Sequence, residues 1–146
     1  MRNAIAAVLG ASALALPNVN AFAAATVPKA TVKTKVVTAT RSFTGAAATA
    51  ERWGELQVTI VVKKTTTTNL TTKKKTVKRK IVAVRVPTYP NHTDRSVFIN
   101  ERALPTLIQE TIAAQSTGID LVSGATDTSY AFQQSLQSAI LEAKAW

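Results

Sequence analysis

A chain of 146 residues has room for one domain, and a hydrophobic share of 46% is enough to build a real core. Aromatics make up only 5%, so that core must be mostly Val, Ile, Leu and Ala, and the absence of cysteine excludes disulfide staples and most zinc sites. The formal net charge of +10 points to anionic surroundings: envelope polymers, lipid headgroups, nucleic acid or a phosphorylated ligand.

The N-terminus reads as a secretory leader. Arg2 supplies a positive start, residues 4–16 form a small and apolar run, Pro17 breaks it, and Ala21-Phe22-Ala23 fits the small-x-small pattern of a cleavage site. The run is shorter than the roughly 20 residues a spanning helix needs. Export is therefore expected, with residues 1–23 removed, a soluble mature chain starting near Ala24, and no lipid anchor on a cysteine. An exported protein makes nucleic acid the least fitting of the anionic partners.

Residues 24–41 read as a linker that becomes a first strand towards Val36 and Val37, and residues 42–146 as the domain proper. Residues 43–49 suit a strand, with a turn at Arg52-Trp53-Gly54. Leu56, Val58, Ile60 and Val62 alternate with Gln57, Thr59, Val61 and Lys63, the period-two pattern of a half-buried strand. Residues 63–80 carry Lys63, Lys64, Lys73, Lys74, Lys75, Lys78, Arg79 and Lys80 and no acid. That composition, with the insertion at 64–80 as its centre, predicts a mobile solvated extension, serving solubility or tethering the protein to an anionic envelope or membrane surface.

Residues 81–86 resume a strand with Val82, Val84 and Val86 on one face, ended by Pro87. Leu104, Leu107, Ile108 and Ile112 recur at helical spacing; Pro105 places the start of that helix near Leu104, with Asn100 ahead of it as a cap. A short strand is expected over 119–122. The last helix follows, with Phe132, Leu136, Ala139, Ile140 and Ala143 on one face and Thr126, Asp127, Thr128 and Ser129 preceding it as cap types. The sum is an α+β domain: a small antiparallel sheet packed with two helices, and a short strand leading into the final turn and helix.

That turn is where the chemistry gathers. Across Asp120-Leu121-Val122-Ser123-Gly124-Ala125-Thr126-Asp127-Thr128-Ser129, Gly124 and Ala125 allow close backbone approach, and Ser123, Thr126, Thr128 and Ser129 present hydroxyls. Unpaired N–H groups and the positive end of the helix dipole favour a phosphate there. A Ser/Thr capping box without any ligand would look the same on these grounds alone.

Ser123-Gly124-Ala125-Thr126 followed by Thr128-Ser129, with Asp120 three residues ahead, resembles the signature of the FMN-binding domain family, which includes flavin subunits of sodium-pumping and Rnf-type redox complexes and small exported proteins. Segments 96–100, 103–107, 113–116 and 135–139 resemble the family as well, and the likeness runs from about Trp53 to Lys144. The resemblance implies FMN as cofactor, attached by a dedicated flavin transferase through a phosphoester to Thr126, with Asp120 part of what the transferase reads. It implies an electron carrier with a membrane or extracellular redox partner rather than a free-standing enzyme, so no catalytic residue is assigned. Asp127 departs from the pattern, its slot being commonly apolar or aromatic, and residues 64–80 match nothing in the family. Tyr130, Trp53 and Tyr89 are the stacking candidates for the flavin ring.

Other chemistries fit poorly. His92 is the only histidine, which excludes a His-rich metal site; Ser123 lies in no Gly-x-Ser-x-Gly elbow and His92 is in an unrelated loop, which argues against a serine hydrolase. The two sequons at Asn69 and Asn91 are short patterns common by chance. Two alternatives stay open: FMN held noncovalently at the same turn, and a basic envelope-binding module whose flavin motif is vestigial.

Overall fold

The computed structural model describes residues 31–146; the expected leader and its expected cleavage site lie outside them. The elements in chain order are β1 (Thr34–Thr44), β2 (Ala48–Thr49), a short 3-10 turn (Glu51–Trp53), β3 (Glu55–Asn69), β4 (Lys75–Thr88), α1 (Asp94–Ala114) and α2 (Thr126–Ala145). All strand pairing is antiparallel. β3 is central, with β1 and then β2 along one edge and β4 along the other. The α+β class expected from the sequence is the class observed.

The alternation read in β3 decides which face is covered. Leu56, Val58 and Ile60 are completely buried and Val62 nearly so, whereas their neighbours face outward. Phe132, Leu136 and Ala139 of α2 and Leu107 of α1 complete the core over them. The two helices thus cover one face of the sheet, and no helix among the described residues is long and apolar enough to cross a membrane.

Several sequence expectations are corrected. Residues 63–80 are not a mobile extension: β3 and β4 continue in register out to Thr68 opposite Lys75, with β1 alongside to Thr34 opposite Asn69. The central strand there is Thr65 to Thr68, and β-branched threonine suits a pleated surface exposed on both faces. Most of the lysines on the flanking strands lie opposite threonine, which keeps like charges apart. In β4 the inward face is Ile81 and Val84 with half-buried Val86, rather than Val82, Val84 and Val86. Val61 pairs with Ala83 and Val62 with Ile81, leaving Val82 unopposed in a bulge that turns it out to solvent. A second irregularity leaves Val86 and Pro87 without direct partners between Gln57–Thr88 and Thr59–Arg85, so proline sits inside an edge strand where no ladder N–H is required of it.

The helix α1 starts at Asp94, ten residues before the start inferred from Pro105. Thr93 and Ser96 form a reciprocal capping box, the Ser96 N–H donating to Thr93 Oγ1 at 3.1 Å and the Thr93 N–H to Ser96 Oγ at 3.2 Å. Pro105 is tolerated because it is exposed, and the carbonyl it leaves unpaired is that of exposed Glu101. Asn100, expected as a cap, is instead a buried residue of the helix interior.

Residues 119–122 do not form the expected strand, since both edges of β3 are already taken. Side chains of both helices satisfy their backbone instead. Gln133 Nε2 donates to the Ile119 carbonyl at 2.7 Å, and the Asp120 N–H donates to Glu110 Oε2 at 3.1 Å. The segment is laced down one group at a time, ending at the turn that opens α2.

Candidate functional site

The turn is built by its own backbone. The Ala125 N–H donates to the Val122 carbonyl at 2.9 Å, and Gly124 in third position has φ of 80°, the left-handed geometry that a type II turn demands and glycine adopts freely. Fully buried Ser129 locks it from the helix side: its hydroxyl donates to the Ala125 carbonyl at 2.8 Å and accepts from the Val122 N–H at 3.1 Å.

Thr128 is also buried, and its hydroxyl donates to Asn100 Oδ1 at 2.8 Å. Asn100 Nδ2 in turn donates to the Pro90 carbonyl at 2.7 Å. One buried side chain therefore ties the loop after β4, the middle of α1 and the first turn of α2. Replacing Thr128 with valine keeps the shape but leaves Asn100 Oδ1 buried without its donor, which costs about 1–3 kcal/mol. The expected result is a fall in melting temperature of roughly 5–10 °C in thermal denaturation.

α2 begins at Thr126 with Ala125 as its N-cap, and no side chain caps it. The four residues expected ahead of the helix as caps form its first turn instead, and two of them spend their hydroxyls on the buried ties just described. The first N–H groups of the helix are left without intrahelical partners, with the dipole's positive end behind them. Beside them is a small cleft lined by Trp53, Ser96, Ile99, Asn100 and residues 124–128.

The predicted site residues separate clearly. Thr126, Gly124, Ala125 and Thr128 line the cleft, and Ser123 and Ser129 do not. Thr126 is exposed, and its hydroxyl makes no hydrogen bond within the described residues. Ser123 and Asp120 are both exposed on the approach to the turn. Of the three aromatic candidates only Trp53 lines the cleft, with the Arg52 guanidinium 5.1 Å from its ring centroid. Tyr130 points to solvent and Tyr89 packs against the core. Asp127 lines the cleft too, and its carboxylate works against an anion held there.

Ser96, Ile99 and Asn100 were missed as lining residues. A signal for two of them was present: Ser96, Asn100, Leu104, Leu107 and Thr111 follow one another at helical spacing, which places two polar side chains on an apolar stripe. Buried polar groups in that position need partners: Ser96 finds them in the capping box with Thr93, and Asn100 in the Pro90 carbonyl and the Thr128 hydroxyl.

The family model of the FMN-binding domain matches residues 51–141, more than half of the chain, and that span takes in Trp53, all of α1 and the turn into α2. A search of curated proteins finds no match. With its cleft assembled from exactly that span, the chain belongs to the FMN-binding domain family and FMN is its cofactor.

Proposed function

We propose that this protein is an exported electron carrier whose FMN is attached through a phosphoester to Thr126 by a flavin transferase. The observation that carries the reading is the state of the motif's hydroxyls: those of Thr128 and Ser129 are buried and hydrogen-bonded, whereas that of Thr126 is exposed, unengaged among the described residues and at the cleft. An attacking enzyme can reach Thr126 without unfolding anything. Exposed Asp120, at the head of the motif, is available for the same enzyme to read.

The residues present fit the group. Uncapped N–H donors at the start of α2 suit its phosphate, and the apolar surfaces of Trp53 and Ile99 flank them. The flavin, when bound, supplies reversible electron transfer, with its electronics set by noncovalent neighbours. The cleft is small enough that it grips one end of such a ligand, so covalent retention matters in a compartment where free FMN would diffuse away.

Intact-mass spectrometry under denaturing conditions, on protein taken from its native host, tests this directly. Added mass equal to phosphoester-linked FMN, on a chain starting near Ala24, is the expected result. Unmodified protein from a host that flavinylates other proteins would defeat the covalent reading.

The departure at Asp127 gives a second check. On a Thr126→Ala background, Asp127→Asn is expected to strengthen binding of free FMN about fivefold by removing a like charge beside the phosphate. It also weakens the helix start by about 0.3–1 kcal/mol, because an acid there complements the dipole. Fluorescence titration reads the first effect and thermal denaturation the second.

A further inference from the structure

The three long strands outrun the helices. The last contacts of the helical layer are made by Trp146, whose ring lies 5.6 Å from that of Phe43 and whose main-chain oxygen accepts from both Lys64 Nζ and Arg79 Nη2. Lys64 and Arg79 are directly opposed across the ladder, so this shared acceptor relieves a like-charge pair at the base of the projection. Beyond it β1, β3 and β4 continue as a ribbon that no other described element covers on either face, and every residue of β4 from Lys75 to Lys80 is exposed.

The end of the ribbon is ordered and cationic. The Asn69 N–H donates to the Lys74 carbonyl and the Leu70 N–H to the Lys33 carbonyl, both at 2.9 Å; Asn69 Oδ1 accepts from the Thr71 and Thr72 N–H groups. This arrangement displays Lys33, Lys35, Lys73, Lys74 and Lys75 from two chain segments around an exposed Leu70. Lys35 and Lys75 occupy one row of the sheet on either side of Thr68. No acid lies in β1, in β4 or in β3 beyond Glu55, so nothing within the ribbon neutralises them.

Three other lysines of the ribbon lie elsewhere. Lys63, Lys78 and Lys80 share the sheet face away from the helices, several rows back from the tip. An extended polyanion lying along a face would meet those three. Five cations gathered around an apolar side chain at the end instead suit a plane approached end-on, with phosphates at its surface and an apolar layer just below.

We propose that the ribbon tip docks end-on to a bilayer bearing anionic phospholipid, its five lysines meeting headgroup phosphates and Leu70 entering the interface. The inference stands apart from the flavin reading and does not depend on it. Each lysine close to an anionic surface strengthens binding about fivefold, and the benefit fades within a Debye length, about 10 Å at moderate salt.

Vesicle co-sedimentation tests it, using protein processed in its host and with its N-terminus verified by mass. Binding is expected to phosphatidylglycerol–phosphatidylcholine vesicles, not to phosphatidylcholine alone, and to be lost at high salt. Lys73→Gln/Lys74→Gln/Lys75→Gln is expected to weaken binding roughly a hundredfold. Lys63→Gln/Lys78→Gln/Lys80→Gln removes the same charge from the face and is expected to change binding by less than about fivefold. Melting curves establish that both variants are folded. Equal losses from the two variants, equal binding to neutral vesicles, or retention by soluble polyphosphate with none by the anionic vesicles would each overturn the proposal, the last in favour of a polymer along the face.

Discussion

Thr126→Ala protein, made alongside the parent in a flavinylating host, is expected to carry no flavin that survives denaturation while melting within about 3 °C of it. The two halves of this expectation have different causes. Loss of the hydroxyl removes the oxygen on which the phosphoester is proposed to form, and no other hydroxyl in the motif is both exposed and at the cleft. The fold is spared because Thr126 is exposed and its side chain makes no hydrogen bond within the described residues; such surface substitutions usually stay within about 0.5 kcal/mol. Intact mass and thermal denaturation on the same preparations measure both. Flavin mass retained on the alanine protein would move the attachment to another residue.

Gly45→Ala should do the reverse and damage the fold most. Gly45 lies where the sheet edge passes from β1 to β2, a gap in the pairing along β3. Its N–H donates to the Val58 carbonyl at 2.8 Å. α2 fills the gap: Ser135 Oγ accepts from the Val58 N–H at 2.9 Å, and Ser138 Oγ accepts from the Ala46 N–H at 2.6 Å. This contact is so close that a Cβ on Gly45 would sit 1.9 Å from the Ser135 carbonyl oxygen and 2.8 Å from its carbon.

Helix backbone cannot yield as a flexible side chain does, so α2 must move off the sheet. Overpacking costs about 1–3 kcal/mol, and breaking the buried Val58–Ser135 bond adds about 1–3 kcal/mol more. Against a total stability of about 5–15 kcal/mol, the expected outcome is a melting temperature lowered by more than about 10 °C, or no soluble protein. Gly124→Ala is the instructive contrast. Its Cβ would meet nothing within 4 Å, so only the left-handed φ is penalised, at about 1–2 kcal/mol. If Gly45→Ala melted no lower than Gly124→Ala, the tight seat of α2 on the sheet would be refuted.

What was legible in the sequence was what a single period expresses. The alternation from Leu56 to Val62 and the helical spacing from Phe132 to Ala143 each correspond to a buried face, and the small-residue turn before α2 sits at a cleft. The misreadings came from residues whose role is set by partners distant in sequence. Pro105 argues for a helix start only if the capping box at Thr93 and Ser96 is overlooked. Val82 leaves the inner face because β3 offers it no opposite residue. The Lys- and Thr-rich composition of residues 63–80 argued for a solvated extension, but β3 and β4 pair through it as a ladder as far as Thr68 opposite Lys75. Asn100 was read by its type, as a cap, when its position on the buried stripe pointed to a satisfied polar tie.

The continuous register of β1, β3 and β4 past Trp146 makes ribbon length an adjustable dimension. β3 alone covers fifteen residues, about 50 Å at the rise of a strand, and its end beyond Lys64 belongs to neither the core nor the cleft lining. Because side chains alternate with a period of two, matched insertions or deletions of two residues in each strand would preserve every facing assignment. Descendants of such a chain can lengthen or shorten their reach in steps of roughly 7 Å without retuning the pocket at the other end.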